Sequence, residues 1–561
     1  MHQVTTVKSP IEMMYRWEQE TPDKIFLRQA SDFQWSEYSW AQVSDQVRRL
    51  ASYIISKSYA PNSRIAIWSA NSKDWIVADL AIMLSGHVSV PIYPGQDIKS
   101  ANYILQHSQV EMIFFGAFDA AEQYSEIEKS DIDTVEMLGA VVECDESIKA
   151  ISSASSKYHP YPESPIPDHE DTFTIIYTSG TTGNPKGVMH KHCTPGYVIP
   201  SISNTFKLGA PDSRLFSFLP MAHAAERILI ELGGLYCNAS ISFSAGLDSF
   251  AEEIRSVQPS FFFAVPRLWI KFKEAIDAKI TAEQQAILSD QQKKEIATQL
   301  GLSNAKYIMT GSAPCPVDIQ DWFADKGIVL RDGYGATENF IHGIAWTKND
   351  KPKSGCVGQP MADDIEVRLS DIGEIEFRSK GLMKGYYKEP EKTAEVLVDG
   401  WYKTGDSGHI DDDGDLWVTG RISETFKTSK GKFVVPSNIE RKLGSINQLA
   451  QYCVIGHGLT APILLATLSE LGQETDPAIL VDQLENALDD VNNQLSAWEK
   501  ISNIVITSEW TIENSLLTPT MKLKRKSIEQ SCEEVIQNIE KAVGRAQTVQ
   551  FFDIANLQGF E

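Results

Sequence analysis

Residues 64–93 read RIAIWSANSKDWIVADLAIMLSGHVSVPIY, and this stretch decides the fold class. An apolar run, a polar start, a long apolar segment to Leu84, Gly86 as a stop and a second apolar run predict strand, helix and strand. Two strands joined through a helix lie parallel, because the crossover brings the chain back to start again from the same end of the sheet. Outward from this unit the alternation continues in EMIFF (111–115), TFTIIY (172–177), RLFSFL (214–219), SFFFAV (260–265) and a run over 305–310. A predicted helix follows each, which favours mostly parallel sheets covered on both faces, so the predicted class is doubly wound α/β.

After Gly358 the texture tightens. DIEVRLSDIGEIEFRS (364–379) and GHIDDDGDLWVTGR (408–421) carry turn residues between short apolar runs and predict the hairpins of a small β subdomain. Beyond Arg421 a small α+β unit is expected, with strands around Phe433, Cys453 and Leu464 and helices over 438–443, 481–494 and 527–543. A boundary at 422–424 follows, giving a large N-terminal domain of residues 1–422 and a small, mobile C-terminal domain of residues 423–561. No internal repeat or low-complexity segment stands out. The acidic run 411–415 lacks the glycine and distant glutamate of a calcium loop and reads as a hairpin turn.

The 561 residues hold 51 Lys+Arg and 75 Asp+Glu, a formal charge of −24. At 42% hydrophobic and 22% charged residues the chain can bury a sizeable core, which excludes disorder along most of it. The acidic balance argues against nucleic-acid binding, since phosphate backbones are held by surplus Lys and Arg. Seven scattered cysteines without a CxxC pair suit neither a disulfide framework nor a zinc site. With no leader at 1–10 and no spanning run, the expectation is a soluble, cytoplasmic protein, with room for peripheral membrane contact through a short apolar patch. Oligomeric state is left open.

An acidic chain that binds an anion must concentrate donors locally, and residues 178–187, TSGTTGNPKG, do so. Thr178, Ser179, Thr181 and Thr182 supply hydroxyls, and Gly180 and Gly183 let backbone N–H groups turn toward a phosphate. Lys186 adds charge. No Gly-Lys-Ser/Thr ends the run, so it is not a Walker A loop. On composition alone a flexible surface loop is an equal reading. The expected setting is a bend between a strand and a helix.

The segment YTSGTTGNPKG resembles the signature of the adenylate-forming enzymes, the superfamily of acyl-CoA synthetases, luciferases and peptide-synthetase adenylation domains. Other segments follow in that family's order. TGSAPCP (310–316) is similar to its adenine-side loop, DGYGATE (332–338) to its aromatic and magnesium motif, and WYKTGD (401–406) to its ribose motif. GRISETFKTSKGKFVVPSNIE (420–440) is similar to the hinge and following loop, and LLTPTMKLKR (516–525) to its C-terminal lysine motif. LPMAHAAERI (219–228), the LTPT lead and Met521 resemble the long-chain fatty acyl subgroup. The resemblance covers roughly residues 20–530.

That resemblance implies ATP and coenzyme A as co-substrates, Mg²⁺, and roles for individual residues. Gly311, Ser312 and Ala313 face adenine with Asp332, Gly333, Tyr334 and Gly335, the tyrosine stacking on the base. Thr337 contacts a phosphate and Glu338 holds Mg²⁺, a hard ion suited to one or two carboxylates plus phosphates. Asp406 accepts the ribose hydroxyls with support from Arg421. Lys522 serves adenylation, while Lys430 and Gly431 serve thioester formation, so a domain rotation is implied between the steps. Ser423 stands at the hinge, where relatives more often carry Asp or Lys. His223 is placed near the carboxylate entrance.

Each residue also has a plainer reading. Glu338 alone is a solvated acid, Asp406 a turn cap, Gly431 a turn glycine, and Lys522 part of a basic run at a helix start. His223 alone is a packed histidine. His190 and His192 form HxH without a third ligand at zinc spacing. Phe261, Phe262, Phe263 and Trp269 fit a buried strand and core tryptophan better than an acyl tunnel. The activity implied is a long-chain fatty-acid–CoA ligase. An acyl-AMP ligase loading a carrier protein, a ligase for an aromatic or shorter acid, and a nucleotide-binding regulator without turnover are the alternatives.

Overall fold

The computed structural model describes residues 7–552 except 33, 120, 129–130, 179–183, 211, 349–350, 445, 513, 519–521 and 542–547. It divides into two compact units. The first holds residues 1–315, 319–368 and 376–403, and the second holds 316–318, 369–375 and 404–561.

Residues 64–93 form the strand Arg64–Trp68, the helix Lys73–Leu84 and the strand Val88–Ile92, with the strands parallel from Arg64↔Val88 to Trp68↔Ile92. From Asp74 to Leu84 every residue of the helix is buried, Asp79 included, so this element is enclosed on all sides rather than amphipathic. Gly86 supports the turn back into the sheet at φ +77.

These strands lie inside an eight-stranded sheet. Its order is Gly385–Tyr386, Lys186–Lys191, Thr172–Thr178, Val88–Ile92, Arg64–Trp68, Val110–Phe115, Asp133–Glu136 and Glu146–Ser147. The pairs from Thr172–Thr178 to the far edge are parallel, as expected of a doubly wound sheet. The other edge corrects the expected setting of the glycine-rich segment. Lys186–Lys191 is a strand antiparallel to Thr172–Thr178, so the segment joins two strands of a hairpin, and the helix Thr194–Phe206 follows only afterwards. The physical reason is the alternation in KGVMHK: Val188 and His190 are buried while Met189 and Lys191 are less so, a period of two rather than 3.6.

A second sheet runs Arg214–Ser217, Ser240–Phe243, Ile25–Ser31, Gln34–Ser39. A third runs Phe261–Ala264, Tyr307–Gly311, Arg331–Tyr334, Ile344–Ala345, Gln359–Pro360. Phe261, Phe262, Phe263 and Trp269 are all buried, in line with the core reading.

In the second unit, Leu449–Ile455, Ile463–Leu468, Asn503–Thr507 and Val549–Phe551 make a four-stranded sheet. Strand alternation divides its side chains. Leu464, Ala466 and Leu468 pack with Leu480, Leu484 and Leu488 of the helix Pro477–Asn492. Ile463 and Leu465 pack with Ile528 and Val535 on the other face. The helix expected over 527–543 is two helices, Arg525–Ser531 and Glu533–Lys541, because Cys532 leaves helical geometry at φ −106, ψ 11. Among the described residues no helix is long and apolar enough to cross a membrane.

Candidate active site

Ser179, Gly180, Thr181, Thr182 and Gly183 lie outside the described residues; Thr178 and Lys186 bracket them as the paired ends of the hairpin. Gly187 follows because the hairpin is tight there. A Cβ at this position would meet Ile175 Cγ2 at 2.7 Å and the Tyr177 ring at 3.1 Å.

Lys186 is not isolated. Its Nζ lies 5.0 Å from the centre of the Tyr386 ring, and the Tyr386 hydroxyl donates to Glu338 Oε1 at 2.9 Å. Backbone lacing fixes this arrangement. Tyr386 pairs with Val188, Tyr387 N donates to Gly187 O at 2.7 Å, and Met383 N donates to Glu338 O at 2.7 Å. His190 Nε2–H donates to Thr337 O at 2.8 Å, which brings the DGYGATE turn against the hairpin strand. Burial pushes His190 down to about 3, so this ring is a neutral donor. The structure therefore brings Lys186 to Thr337 and Glu338, neighbours that lie far from it in sequence.

The two segments expected on the adenine side, 310–316 and 332–338, meet through their glycines. Gly311 and Gly333 are cross-strand partners, and a Cβ on Gly311 would lie 3.0 Å from Gly333 O. A Cβ on Gly335 would lie 2.9 Å from Ile341 Cα. Ser312 sits at φ +65, which turns the chain outward so that Ala313 is exposed. Asp332 is buried and accepts from Gly333 N at 2.9 Å. Tyr334 is half-buried against Phe377, with ring centres 5.8 Å apart.

Within the second unit, Asp406 and Arg421 are cross-strand partners, and Arg421 Nε lies 2.9 Å from Asp406 Oδ1. Arg421 also donates to Thr404 O at 3.1 Å. Lys430 and Gly431 form the tip of the Phe426–Lys427/Phe433–Val434 hairpin, where Gly431 N donates to Thr428 O and φ is +79. Ser423 lies in the short 3₁₀ turn Ile422–Glu424. Lys522 is exposed. Its backbone N donates to Thr518 Oγ1 at 3.0 Å, its carbonyl accepts from Thr518 N at 2.8 Å, and 519–521 lie outside the described residues. Arg525 anchors this turn through two bonds to Glu440, at 2.7 and 3.1 Å.

Three described acids, Asp411, Asp413 and Asp415, stand close enough to share an ion. Asp411 Oδ1 already accepts from Asp413 N and Asp415 N, which is the geometry of a hairpin turn.

His223 caps the helical segment that starts at Ala224, its Nδ1 accepting from Ala225 N at 3.2 Å. The following Glu226 is fully buried and accepts from Ser217 Oγ at 2.8 Å and Phe218 N at 3.1 Å, while burial pushes its carboxyl up to about 8. Asn71 Oδ1 accepts from Met221 N, so this network fixes the loop that carries His223. Arg227, also fully buried, donates to both oxygens of Asp79 at 2.6 and 2.7 Å and to Thr174 Oγ1 at 2.7 Å. It opens a π-helical turn, Arg227–Leu232, a rare form that is frequent at functional sites. Sequence reading missed Tyr386, Glu226, Arg227 and Asp79. An acid in the middle of the otherwise apolar stretch 75–84 was the available signal for Asp79.

Residues 14–387 match the AMP-binding enzyme family, and residues 424–543 match the AMP-binding enzyme C-terminal domain. The chain belongs to the AMP-binding enzyme family. This AMP-binding enzyme is 26% identical to the long-chain-fatty-acid–CoA ligase FadD15 of Mycobacterium bovis, over 92% of this chain and 94% of the relative. It is likewise 26% identical to long-chain-fatty-acid–CoA ligase 1 of Homo sapiens, over 88% and 81%. The solved structure of the anthranilate CoA ligase AuaEII in complex with anthranoyl-AMP matches with a TM-score of 0.75 at 19% identity, covering 94% of this chain and 97% of that one. At that identity the likeness shows the shared fold of this AMP-binding enzyme.

Proposed function

We propose that the chain activates a fatty acid, long-chain by preference, with ATP and transfers the acyl group to coenzyme A. The observation that carries this reading is the near full-length match to relatives named long-chain-fatty-acid–CoA ligases, covering 92% of this chain in one case. The grouping of Lys186, Thr337 and Glu338 supports it, because it concentrates phosphate-binding chemistry in a chain of net charge −24.

A carboxylate is a poor electrophile, so activation must turn one of its oxygens into part of a leaving group. A substrate carboxylate oxygen attacks the α-phosphorus, the α–β phosphoanhydride bond breaks, and pyrophosphate leaves. Residues 178–183 supply hydroxyls and backbone N–H groups for the phosphates, and Lys186 and Lys522 neutralise developing charge. Glu338 is half-buried with one oxygen bonded to a neutral hydroxyl, a donor set that fits one carboxylate of a magnesium site completed by phosphates. When bound there, Mg²⁺ would offset triphosphate charge and polarise the phosphoryl oxygens. Tyr334 stacks on adenine beside the loop at Gly311, Ser312 and Ala313, and Asp406 with Arg421 holds the ribose.

In the second step the CoA thiolate attacks the acyl carbon, the bond from that carbon to the phosphate oxygen breaks, and AMP leaves. The Lys430–Gly431 tip serves this step, Lys522 the first, and a rotation about residues 422–424 exchanges them. A boundary there between domains 1–422 and 423–561, and a cytoplasmic location with peripheral membrane contact, belong to the same reading.

Pyrophosphate release measured over acids of graded chain length, with and without CoA, tests it. Release that peaks with long-chain acids, together with acyl-CoA formation, is expected. Adenylation without turnover on free CoA would instead identify a carrier-protein loader, a preference for aromatic or short acids would replace the substrate class, and nucleotide binding without any release would identify a regulator.

A further inference from the structure

Tyr386 is 4% exposed and belongs to none of the groups assigned above, yet it touches two of them. Its ring lies under the Lys186 ammonium at 5.0 Å and its hydroxyl donates to Glu338 at 2.9 Å. A lysine and a carboxylate that border one anion site tend to pair with each other, which would quench both before a ligand arrives. An aromatic side chain that touches both gives the cation a π face and the anion a donor, so that neither depends on the other as its partner.

The surroundings of Tyr386 fix that position from several directions. Tyr386 pairs with Val188 and packs with Val188 and Met383, and its N–H donates to Thr393 Oγ1 at 2.9 Å. Gly385 precedes it at φ +147, where a Cβ would come within 2.9 Å of Thr393 Cγ2. That glycine lets the helix Pro390–Val396 close on the strand and clamp the tyrosine.

The geometry points to Tyr386 as a positioning residue that orients Glu338 toward a divalent cation and holds Lys186 ready for the triphosphate. This inference rests on the reading of Lys186 and Glu338 as the phosphate and metal groups. It predicts a division of labour within one side chain, with the hydroxyl tuning the metal requirement and the ring tuning the lysine.

The test uses calorimetric binding of ATP to the full chain across a range of Mg²⁺ concentrations and in EDTA. Tyr386→Phe should need about tenfold more Mg²⁺ for half-maximal tightening of ATP binding, the scale of a lost hydrogen bond to a charged group. Its affinity for ATP in EDTA should stay within about twofold of the parent, since the ring under Lys186 remains. Tyr386→Leu should weaken ATP binding in EDTA as well. In a Glu338→Gln background the Tyr386→Phe shift in Mg²⁺ requirement should vanish, an outcome a purely structural tyrosine would not produce.

A parent-like Mg²⁺ requirement in Tyr386→Phe overturns the inference, as does a shift that persists without Glu338. If Tyr386→Leu fails to fold, the Tyr386→Phe and Glu338→Gln cycle still decides. A parent that binds no ATP sinks both this inference and the proposed function. A parent that binds ATP with the predicted Mg²⁺ coupling but releases no pyrophosphate with any acid sinks the function alone.

Discussion

The strongest consequence for stability lies where one guanidinium faces two acids. Arg227, Asp79 and Glu231 are buried together, with Arg227 bidentate on Asp79 and its Nε 3.5 Å from Glu231 Oε2. One positive charge cannot satisfy two carboxylates in a dry interior. Burial and the adjacent Asp79 therefore push the Glu231 carboxyl well above the ordinary range, and it keeps its proton. Glu231 is thus a spare. Removing Asp79 by Asp79→Asn should let Glu231 ionise and take over the guanidinium, limiting the loss to about 1–2 kcal/mol. Glu231→Gln removes only the spare and should cost less than about 1 kcal/mol. The double variant strands Arg227 without any carboxylate, and breaking a buried pair in that way costs about 3–5 kcal/mol.

A unit of about 400 residues has an unfolding entropy near 0.8 kcal/mol/K, so the double variant should lower its melting midpoint by about 4–6 °C. The first single variant should lower it by about 1–2 °C on the same scale. Scanning calorimetry on the full chain, following the transition of the larger unit, reads all four proteins. The signature is a double loss larger than the sum of the singles. Strict additivity, or a full loss from Asp79→Asn alone, would refute the sharing of one cation between two acids.

Other expected outcomes follow from the sites. Lys522→Ala should suppress pyrophosphate release while leaving CoA transfer from supplied acyl-AMP largely intact; rapid-quench assays of each half-reaction check this, and equal loss in both removes the assigned role. Gly431→Ala should cost about 1 kcal/mol, because the position sits at φ +79 with only Lys427 Cε nearby at 3.8 Å, so a larger fall in the CoA step than in melting midpoint is expected of a passage for pantetheine. His190, pushed down to about 3 by burial, stays neutral in the fold while the unfolded chain takes up a proton below about 6.5. Its contribution is whole above that pH and is lost on acidification, about 2 kcal/mol by pH 5. Melting curves from pH 8 to 5 should therefore slope less steeply for His190→Gln than for the parent, and parallel slopes would contradict it.

The parts of the fold that were legible are those where local pattern and tertiary demand agree. In residues 64–93 an apolar run, a polar break and a glycine that takes φ +77 each point to the element observed. The Lys186–Lys191 strand was not legible, because six residues of mixed polarity become a strand only through two partners, Thr172–Thr178 and Gly385–Tyr386, the second nearly two hundred residues away. The division of 527–543 into two helices was hidden for the opposite reason: the sequence there is continuous in helix propensity, and one residue, Cys532, breaks it.

The same distinction separates the site's visible residues from its hidden ones. Most residues expected to meet the nucleotide fall in the glycine-punctuated segments 178–187, 310–316 and 332–338, where backbone demands restrict the composition and leave a trace in the sequence. Tyr386 leaves no such trace. Its position depends on register with Val188 and on a clamp by Thr393, and either could have held another large ring without altering the local pattern. Asp79 and Arg227 stand between these cases. A charge inside the apolar run of Lys73–Leu84 is costly unless paired, so Asp79 predicts that a partner exists without naming it. Arg227 meets that need from a π-helical turn and also grips Thr174, on the strand that leads into residues 178–183. The buried pair thus couples the loop carrying His223 to the strand that leads into residues 178–183. Its loss should therefore disturb both together, a coupling that only the fold makes visible.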